Sequence, residues 1–273
     1  MFRVIIAAVL ASFAFPAFAD APAGSAVGVN PQATAQLGSS TITLSPGALL
    51  YMGQKVTTGP NGQVQVVFSD DTHLVIGPGS SLLISEYLLR NGGDTASKFV
   101  VNALAGTYRF VTGNSPKDAY EIQTPTGTIG VRGTAFDFNI DPVTHQTHVL
   151  LYHGGVTMCS TSGGCVFMSS HCGVGVIPQN QGAAVLGSND KSLSSIVKSF
   201  PYANSEKPLK TDFQVGPGNG CGGVHVSAPI APAVSGGSGA MPPPPPPPPP
   251  PCVPPPCVPP PCWHPSVHFS HNH

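Results

Sequence analysis

The sequence predicts an all-β domain, and three observations predict it. Between Thr41 and about Leu186 apolar and polar residues alternate with period two in short runs, the spacing of strands that bury one face. Glycine, proline, asparagine and aspartate separate the runs, and these residues make turns. Only 11 Lys+Arg and 12 Asp+Glu occur among 273 residues, beside 32 glycines and 32 prolines. That composition rules out a coiled coil, a helix bundle and a nucleic-acid binder held by a basic patch. With 41% hydrophobic residues the chain can bury a core, which argues against global disorder.

Taken in order, the chain opens with Arg3, an apolar run from Val4 to Phe15, and then Pro16, Ala17, Phe18 and Ala19. The run is about half the roughly 20 residues that a bilayer span requires. Small residues at 17 and 19 fit a cleavage site before Asp20. Residues 1–19 therefore read as a secretory signal peptide, with an uncleaved anchor as the alternative. No later segment is long and apolar enough to cross a membrane, so the mature protein is expected in the periplasm or outside the cell. Residues 20–40 read as a flexible N-terminal segment.

Strands begin at Thr41. From Gln63 to Ile76, Val64, Val66, Phe68, Leu74 and Ile76 share one parity, while Gln63, Gln65, Ser69, Asp71 and His73 share the other. One face is expected in the core and the other wet. Asp70 and Asp71 fall in the break between two strands, where aspartates bond nearby backbone amides, so a turn is favoured over acid/base work. Further strands are expected near 82–88, 99–104, 107–111, 120–124, 127–131, 135–140, 148–152, 155–159, 166–169, 173–177 and 183–186. One helix is expected over Lys191 to Phe200, since Leu193, Ile196, Val197 and Phe200 follow i, i+3, i+4, i+7 spacing, with Asp190 as cap and Pro201 as stop. So short a helix is marginal alone and should dock its apolar stripe on the strands.

From Phe213 to His273 there is no Lys, Arg, Asp or Glu. A Gly/Ser/Pro linker (213–241) leads to the unbroken prolines Pro242 to Pro251, and then Cys252, Cys257 and Cys262 recur among Val-Pro-Pro-Pro units. Such a stretch adopts polyproline II, which makes 242–273 a stiff, disordered tail holding Trp263 to His273 away from the body. Successive tail cysteines would stand roughly 15 Å apart at about 3.1 Å per residue, against the roughly 4.4 to 6.8 Å that a disulfide needs. They suit cross-linking to other chains better than internal bridges; the alternative is a repeat whose cysteines do little.

The residues of the strand region resemble the FecR family. The opening motif lies in Lys55, Val56, Thr57, Thr58, Gly59, Gly62, Val64, Val66, Phe68, Asp70, Thr72, Leu74 and Ile76. Ala105 to Phe110, Tyr120 to Pro125, the signature Gly130 to Phe136, and His148 to Val156 extend it. The resemblance covers roughly 45–158. It implies a FecR-like rolled or solenoid-like β-domain of antiparallel or mixed sheet, here bounded at 41–188 and followed by a helix and linker at 189–212. It further implies a non-enzymatic protein of a Gram-negative envelope with an envelope-protein or cell-wall partner. Founding members are regulators relaying receptor occupancy to a sigma factor in iron uptake. This chain lacks their anti-sigma segment and membrane helix, so binding or scaffolding is the favoured function and sensing the alternative.

Gly59, Gly62, Gly106, Gly130, Gly133 and Gly155, with Asp70, Thr134 and Phe136, are expected to be structural. Glycines 127, 130 and 133 suit close strand approach and unusual backbone angles, and Thr134 can cap the local turn. Arg132 is expected on the surface, pairing Asp137 or Glu121. Cys159, Cys165, Cys172 and Cys221 allow three pairings; a hairpin tip between Cys159 and Cys165 favours that bridge, and Cys172 with Cys221 would tie the linker back. Metal binding is the sharpest chemical alternative, because Cys262, His264, His268, His271 and His273 cluster at the tail and offer ligands that zinc and copper prefer. His145, His148 and His153 form a second group, which His171 could join. No cofactor is required by any motif, and no Gly-x-Ser-x-Gly elbow, phosphate loop or His-Glu-x-x-His helix is present.

Overall fold

The computed structural model describes residues 21–90, 93–216 and 221. The chain divides into two units, Met1–Pro229 and Ile230–His273, and every described residue belongs to the first. The expected signal peptide, most of the expected 213–241 linker and the expected 242–273 tail with its cysteines and histidines lie outside the described residues.

The chain alternates between two sheets, A and B. It enters sheet A as β1 (Gly24–Asn30), passes to sheet B as the hairpin β2 (Ala33–Leu37) and β3 (Ser40–Thr43), touches sheet A as β4 (Leu49–Leu50) and returns to B as β5 (Lys55–Thr58). The hairpin β6 (Gln63–Phe68) and β7 (His73–Ile76) lies in A, and β8 (Ser81–Leu89) lies in B. Next comes the long β9 (Ala96–Val111), then β10 (Tyr120–Thr124) and β11 (Gly127–Val131) in B, and β12 (Ala135–Ile140) and β13 (Thr147–His153) in A. The hairpin β14 (Val156–Ser160) and β15 (Cys165–Met168) closes B, and β16 (Val174–Ile177) with β17 (Ala184–Val185) closes A.

Pairing gives sheet A the order β4-β1-β6-β7-β9-β12-β13-β16-β17. Sheet B runs β3-β2-β5-β8-β9-β10-β11-β14-β15. Strand β9 belongs to both. Its residues up to Ala105 pair with β8 in sheet B, and from Gly106 onward they pair with β12 in sheet A. Gly106 makes the bend, with φ +99°; a Cβ there would lie 2.5 Å from the Cα of Ser80. The parallel pair β9–β10 makes sheet B mixed.

The sheets pack face to face, because period-two alternation puts the large apolar residues of each on its inner face. Val64, Val66, Phe68, Leu74, Ile76, Phe136 and Phe138 of sheet A meet Val56, Leu82, Ile84, Phe99, Val101, Ile122 and Ile129 of sheet B in one core. The rings of Phe68 and Phe99 meet edge-on with centroids 4.7 Å apart, and Tyr108 stacks on Phe138 at 4.7 Å.

Three expectations are corrected. Within 20–40, expected to be flexible, the described residues form the paired strands β1 and β2. Their core-facing residues are Ala26, Ala33 and Ala35, and such small side chains mute the alternation. The runs 99–104 and 107–111 are one strand bent at Gly106. The helix expected over 191–200 is shorter, α1 (Leu193–Lys198), and a second one, α2 (Pro201–Asn204), follows beyond the expected stop. Phe200 is held extended before proline, with φ −95° and ψ 97°, as the pyrrolidine ring demands of its predecessor.

The outer face of sheet A is covered as well. Leu193, Phe200, Ala203, Val215 and Cys221 pack on Ala135, Leu150, Tyr152 and Val174, and Tyr202, Leu209 and Phe213 pack on Val75. The face expected to be wet in β6 and β7 is therefore occupied. Tyr202 Oη donates to Gln63 Oε1 at 2.9 Å, Lys210 N donates to Gln65 Oε1 at 2.8 Å, and the Phe213 ring meets His73 edge-on.

Candidate functional site

Two buried polar groups and one large cleft hold the chemistry of the described residues. The first group centres on Asp70, in the turn between β6 and β7. Its carboxylate accepts from Ser115 Oγ at 2.6 Å, Tyr120 Oη at 2.8 Å, Thr72 Oγ1 at 2.9 Å and Thr72 N at 3.2 Å. Burial raises the Tyr87 and Tyr120 phenols above their ordinary value. The carboxylate is thus a hub that ties a sheet A turn to the loop before β10.

The second group lies between sheet A and the C-terminal segment. Arg109 sits between Tyr108 and Phe110 on β9, and Asp137 between Phe136 and Phe138 on β12, so both point away from the sandwich core. Arg109 Nε donates to Asp137 Oδ1 at 2.6 Å and Nη2 to Oδ2 at 3.1 Å, a bidentate pair from which solvent is wholly excluded. Tyr152 Oη donates to Asp137 Oδ2 at 2.7 Å, and Arg109 Nη2 reaches Tyr152 Oη at 2.7 Å. Arg109 Nη1 also pairs with Glu206, whose Oε1 accepts from Val215 N at 3.0 Å. Burial pushes the Asp137 carboxyl upward, and Arg109 and Tyr152 pull it back. The cluster anchors the segment that covers sheet A.

The cleft, of about 950 Å³, opens where the bend of β9 and the ends of β12, β13 and β16 meet α1. Thr107, Asn139, His148 and Val176 line it, with the Asp141–Gln146 turn, the loop at Gln181 and Gly182, Pro78, Gly79 and the α1 face of Ser192, Ser195, Ile196 and Ser199. Its titratable side chains are Asp141 and His148. Asp141 is engaged in its own turn, where Oδ1 accepts from Thr144 N at 2.7 Å and Val143 N at 3.0 Å, and these bonds hold its pKa low, that from Thr144 most strongly. His148 Nδ1 lies 3.0 Å from Asn139 Oδ1, an oxygen that only accepts, so Nδ1 carries the proton. Burial lowers the His148 pKa from 6.5. The hydroxyls are engaged too: Ser192 Oγ donates to Asp190 Oδ1 at 2.6 Å, Ser195 Oγ to Ser192 O at 2.7 Å and Ser199 Oγ to Ile196 O at 2.6 Å.

The motif glycines serve different ends. Gly106 lines the cleft and bends β9. Gly133 has φ +66° at the corner between β11 and β12, with the Lys117 side chain 3.1 Å from where a Cβ would stand. Thr134 beside it donates its hydroxyl to His153 O, and its amide donates to Thr112 Oγ1 at 2.9 Å. A Cβ on Gly62 would come within 2.6 Å of Gln32 O, and one on Gly155 within 2.7 Å of the Phe167 ring. Gly59 has open space, and a Cβ on Gly130 would meet Thr157 no closer than 3.8 Å. Gly130 instead floors a smaller cleft of about 450 Å³ on the outer face of sheet B, beside Lys98, Lys117, Glu121 and Arg132. Phe136 is buried in the core.

Arg132 is exposed and forms no ion pair among the described residues. Its expected partner Asp137 faces the other way and belongs to Arg109. Cys159 is bonded to Cys165, with Cα atoms 4.1 Å apart, and Cys172 to Cys221, with Cα atoms 5.5 Å apart. His171, Cys172 and Cys221 place their ligand atoms within 4.8 Å of one another, but the two sulfurs are joined and His171 Nδ1 donates to Tyr152 O at 2.6 Å. His145, His148 and His153 do not converge. His148 is buried beside Asn139, while His145 and His153 are exposed. The tail residues Cys252, Cys257, Cys262, His264, His268, His271 and His273 lie outside the described residues.

Sequence reasoning missed the cleft, because its walls come from loops far apart in the chain. It also passed over Arg109, Tyr152 and Glu206. One signal was present: Arg109 and Asp137 are single charges, each flanked by aromatic residues, in a chain of which only 8% is charged.

Residues 54–157 match the model of the FecR protein family. Among solved structures, two crystal structures of a candidate anti-sigma factor from Parabacteroides distasonis ATCC 8503 are similar to 48% of this chain at 15% identity, with a TM-score of 0.37. The similarity spans 57% of the length of that protein. No curated protein matches the chain. No helix among the described residues is long and apolar enough to cross a membrane.

Proposed function

We propose that this chain is an exported, non-enzymatic FecR-domain protein that binds or scaffolds in the cell envelope, with the cleft beside α1 as its docking site. The observation that carries the reading is the state of the polar groups in that cleft. A general base needs a free basic atom near the reacting proton, and a nucleophile needs a base to activate it. In the cleft the serine protons already go to carbonyl and carboxylate oxygens, Asp141 is held by its turn, and the one free base, His148 Nε2, has no hydroxyl or thiol hydrogen-bonded to it among the described residues. What remains for a ligand is a wide, nearly uncharged surface of amide and hydroxyl groups, which suits recognition of a polar partner. The signal-peptide pattern of residues 1–19 supports export, and the FecR match supports an envelope role.

Site-specific photo-crosslinking in the native cell tests the site. A photoreactive residue at the exposed positions Gln181 or Ser195 should give discrete higher-mass adducts in the envelope fraction, and one at Thr57, exposed on the outer face of sheet B, should not. Absence of adducts at the cleft positions, or equal adducts at all three, would overturn the proposal. The FecR match also favours a second reading, a periplasmic sensor related to iron-uptake signalling. That reading requires deletion of the protein to change transcription on iron limitation, whereas a scaffold leaves it unchanged.

A further inference from the structure

Sheet B ends at β3, which pairs with β2 and with no other strand among the described residues. Of the sheet edges, β4 and β17 are two residues each, too short to template a partner. At β15 the strand is stapled to β14 by Cys159–Cys165, and its central Val166 already packs against the core. Strand β3 is four residues long and carries no charge, no proline and no bulge in Ser40-Thr41-Ile42-Thr43, three features that commonly guard an edge. All four residues are exposed.

The ladder to β2 sets which backbone groups are free. Leu44 N donates to Ala33 O at 2.8 Å, and register places Ile42 opposite Ala35 and Ser40 opposite Leu37. Amide and carbonyl groups alternate sides along a strand. Ser40, Ile42 and Leu44 therefore point theirs toward β2, and Thr41 and Thr43 point theirs outward.

We propose that two chains associate through an antiparallel β3–β3 pair about a two-fold axis at Ile42. In that register Thr41 of each copy faces Thr43 of the other and exchanges both backbone bonds with it. Ile42 faces its own counterpart as a non-hydrogen-bonded pair, the closer of the two pair types. Ile42 is 47% exposed, and Leu37 on the same face of sheet B is 48% exposed, so the contact covers apolar surface that the single chain leaves in water. No charge of β3 opposes a like charge in the pair. The interface is isologous and closes at two copies, which joins the two B sheets into one.

Analytical ultracentrifugation of the full chain, with free thiols alkylated, tests this. The apparent mass should rise with concentration toward that of two chains. Thr41→Pro removes an outward amide and leaves the ladder to β2 intact, and Ile42→Lys sets like charges face to face. Each should weaken association at least about tenfold without changing the circular dichroism, or the thermal midpoint measured at concentrations where the wild type is monomeric. Ile42→Cys should yield a disulfide-linked dimer whose linked peptide contains residue 42 twice, and Ser40→Cys should not. A chain that stays monomeric at all concentrations, or a dimer that survives Thr41→Pro, would overturn the proposal.

Discussion

At the scale of single residues, Arg109 decides how the C-terminal segment is held. Its guanidinium satisfies Asp137 through two bonds, meets Tyr152 and pairs with Glu206, while its carbon stands 4.7 Å from the centroid of the Tyr152 ring and 5.6 Å from that of Tyr202. A bidentate fork of this kind is a geometry that lysine cannot reproduce. A buried pair adds little over apolar residues of similar shape, yet removing one partner strands the other charge, at a cost of about 3–5 kcal/mol. Arg109→Met should therefore lower the unfolding free energy by roughly that amount, read from urea midpoints. The double variant Arg109→Met/Asp137→Leu should lose less than the single one, because no buried carboxylate is left alone. A single variant within about 1 kcal/mol of wild type would show that the cluster carries no such load.

At the scale of elements, strands with large alternating side chains were legible and those without were not. β6 and β7 announce themselves by Val64, Val66, Phe68, Leu74 and Ile76, whereas β1 and β2 turn alanines to the core and read as loop. Glycine was legible as punctuation but not as to kind. Gly106 bends a continuous strand, and Gly154 lets two corners touch: its φ is +84°, and a Cβ would stand 2.2 Å from Gly133 O and 2.8 Å from Thr134 Cα. Gly130 needs neither liberty. Gly154→Ala should thus destabilise the fold by well over the ~1 kcal/mol typical of point changes, and Gly130→Ala should be nearly neutral by thermal midpoint; equal effects would refute the assignment. The cleft was illegible for a different reason, since no local pattern shows which loops meet. The disulfides separate in the same manner. Cys172–Cys221 spans 49 residues and pins the segment that covers sheet A, while Cys159–Cys165 spans 6 inside one hairpin. Chain entropy assigns them about 4 and about 2 kcal/mol, so the Cys172→Ser/Cys221→Ser variant should melt well below Cys159→Ser/Cys165→Ser. The reverse order would mean that the covering segment is held by packing alone.

At the scale of the whole molecule, the sharing of β9 makes the two sheets one folding unit. Strands β1 to β4 precede the FecR match at residue 54, yet β1 pairs with β6 and β2 with β5, so the region before the motif completes both sheets. Beyond the motif, Leu193, Phe200, Ala203, Val215 and Cys221 cover the outer face of sheet A. A structure joined in this way has no seam along which one sheet could open while the other stays closed, because parting them would break the pairing of β9 on one side of Gly106 and expose the common core. Ile84→Ala empties a buried site on sheet B, where truncations of this size cost about 2–5 kcal/mol. Hydrogen exchange should then show protection falling in β12 and β13 of sheet A by as much as in β8, with a single calorimetric transition retained. Loss confined to sheet B would mean that the bend at Gly106 is a hinge between separable halves, and the FecR segment would have to be treated as two cooperative units rather than one.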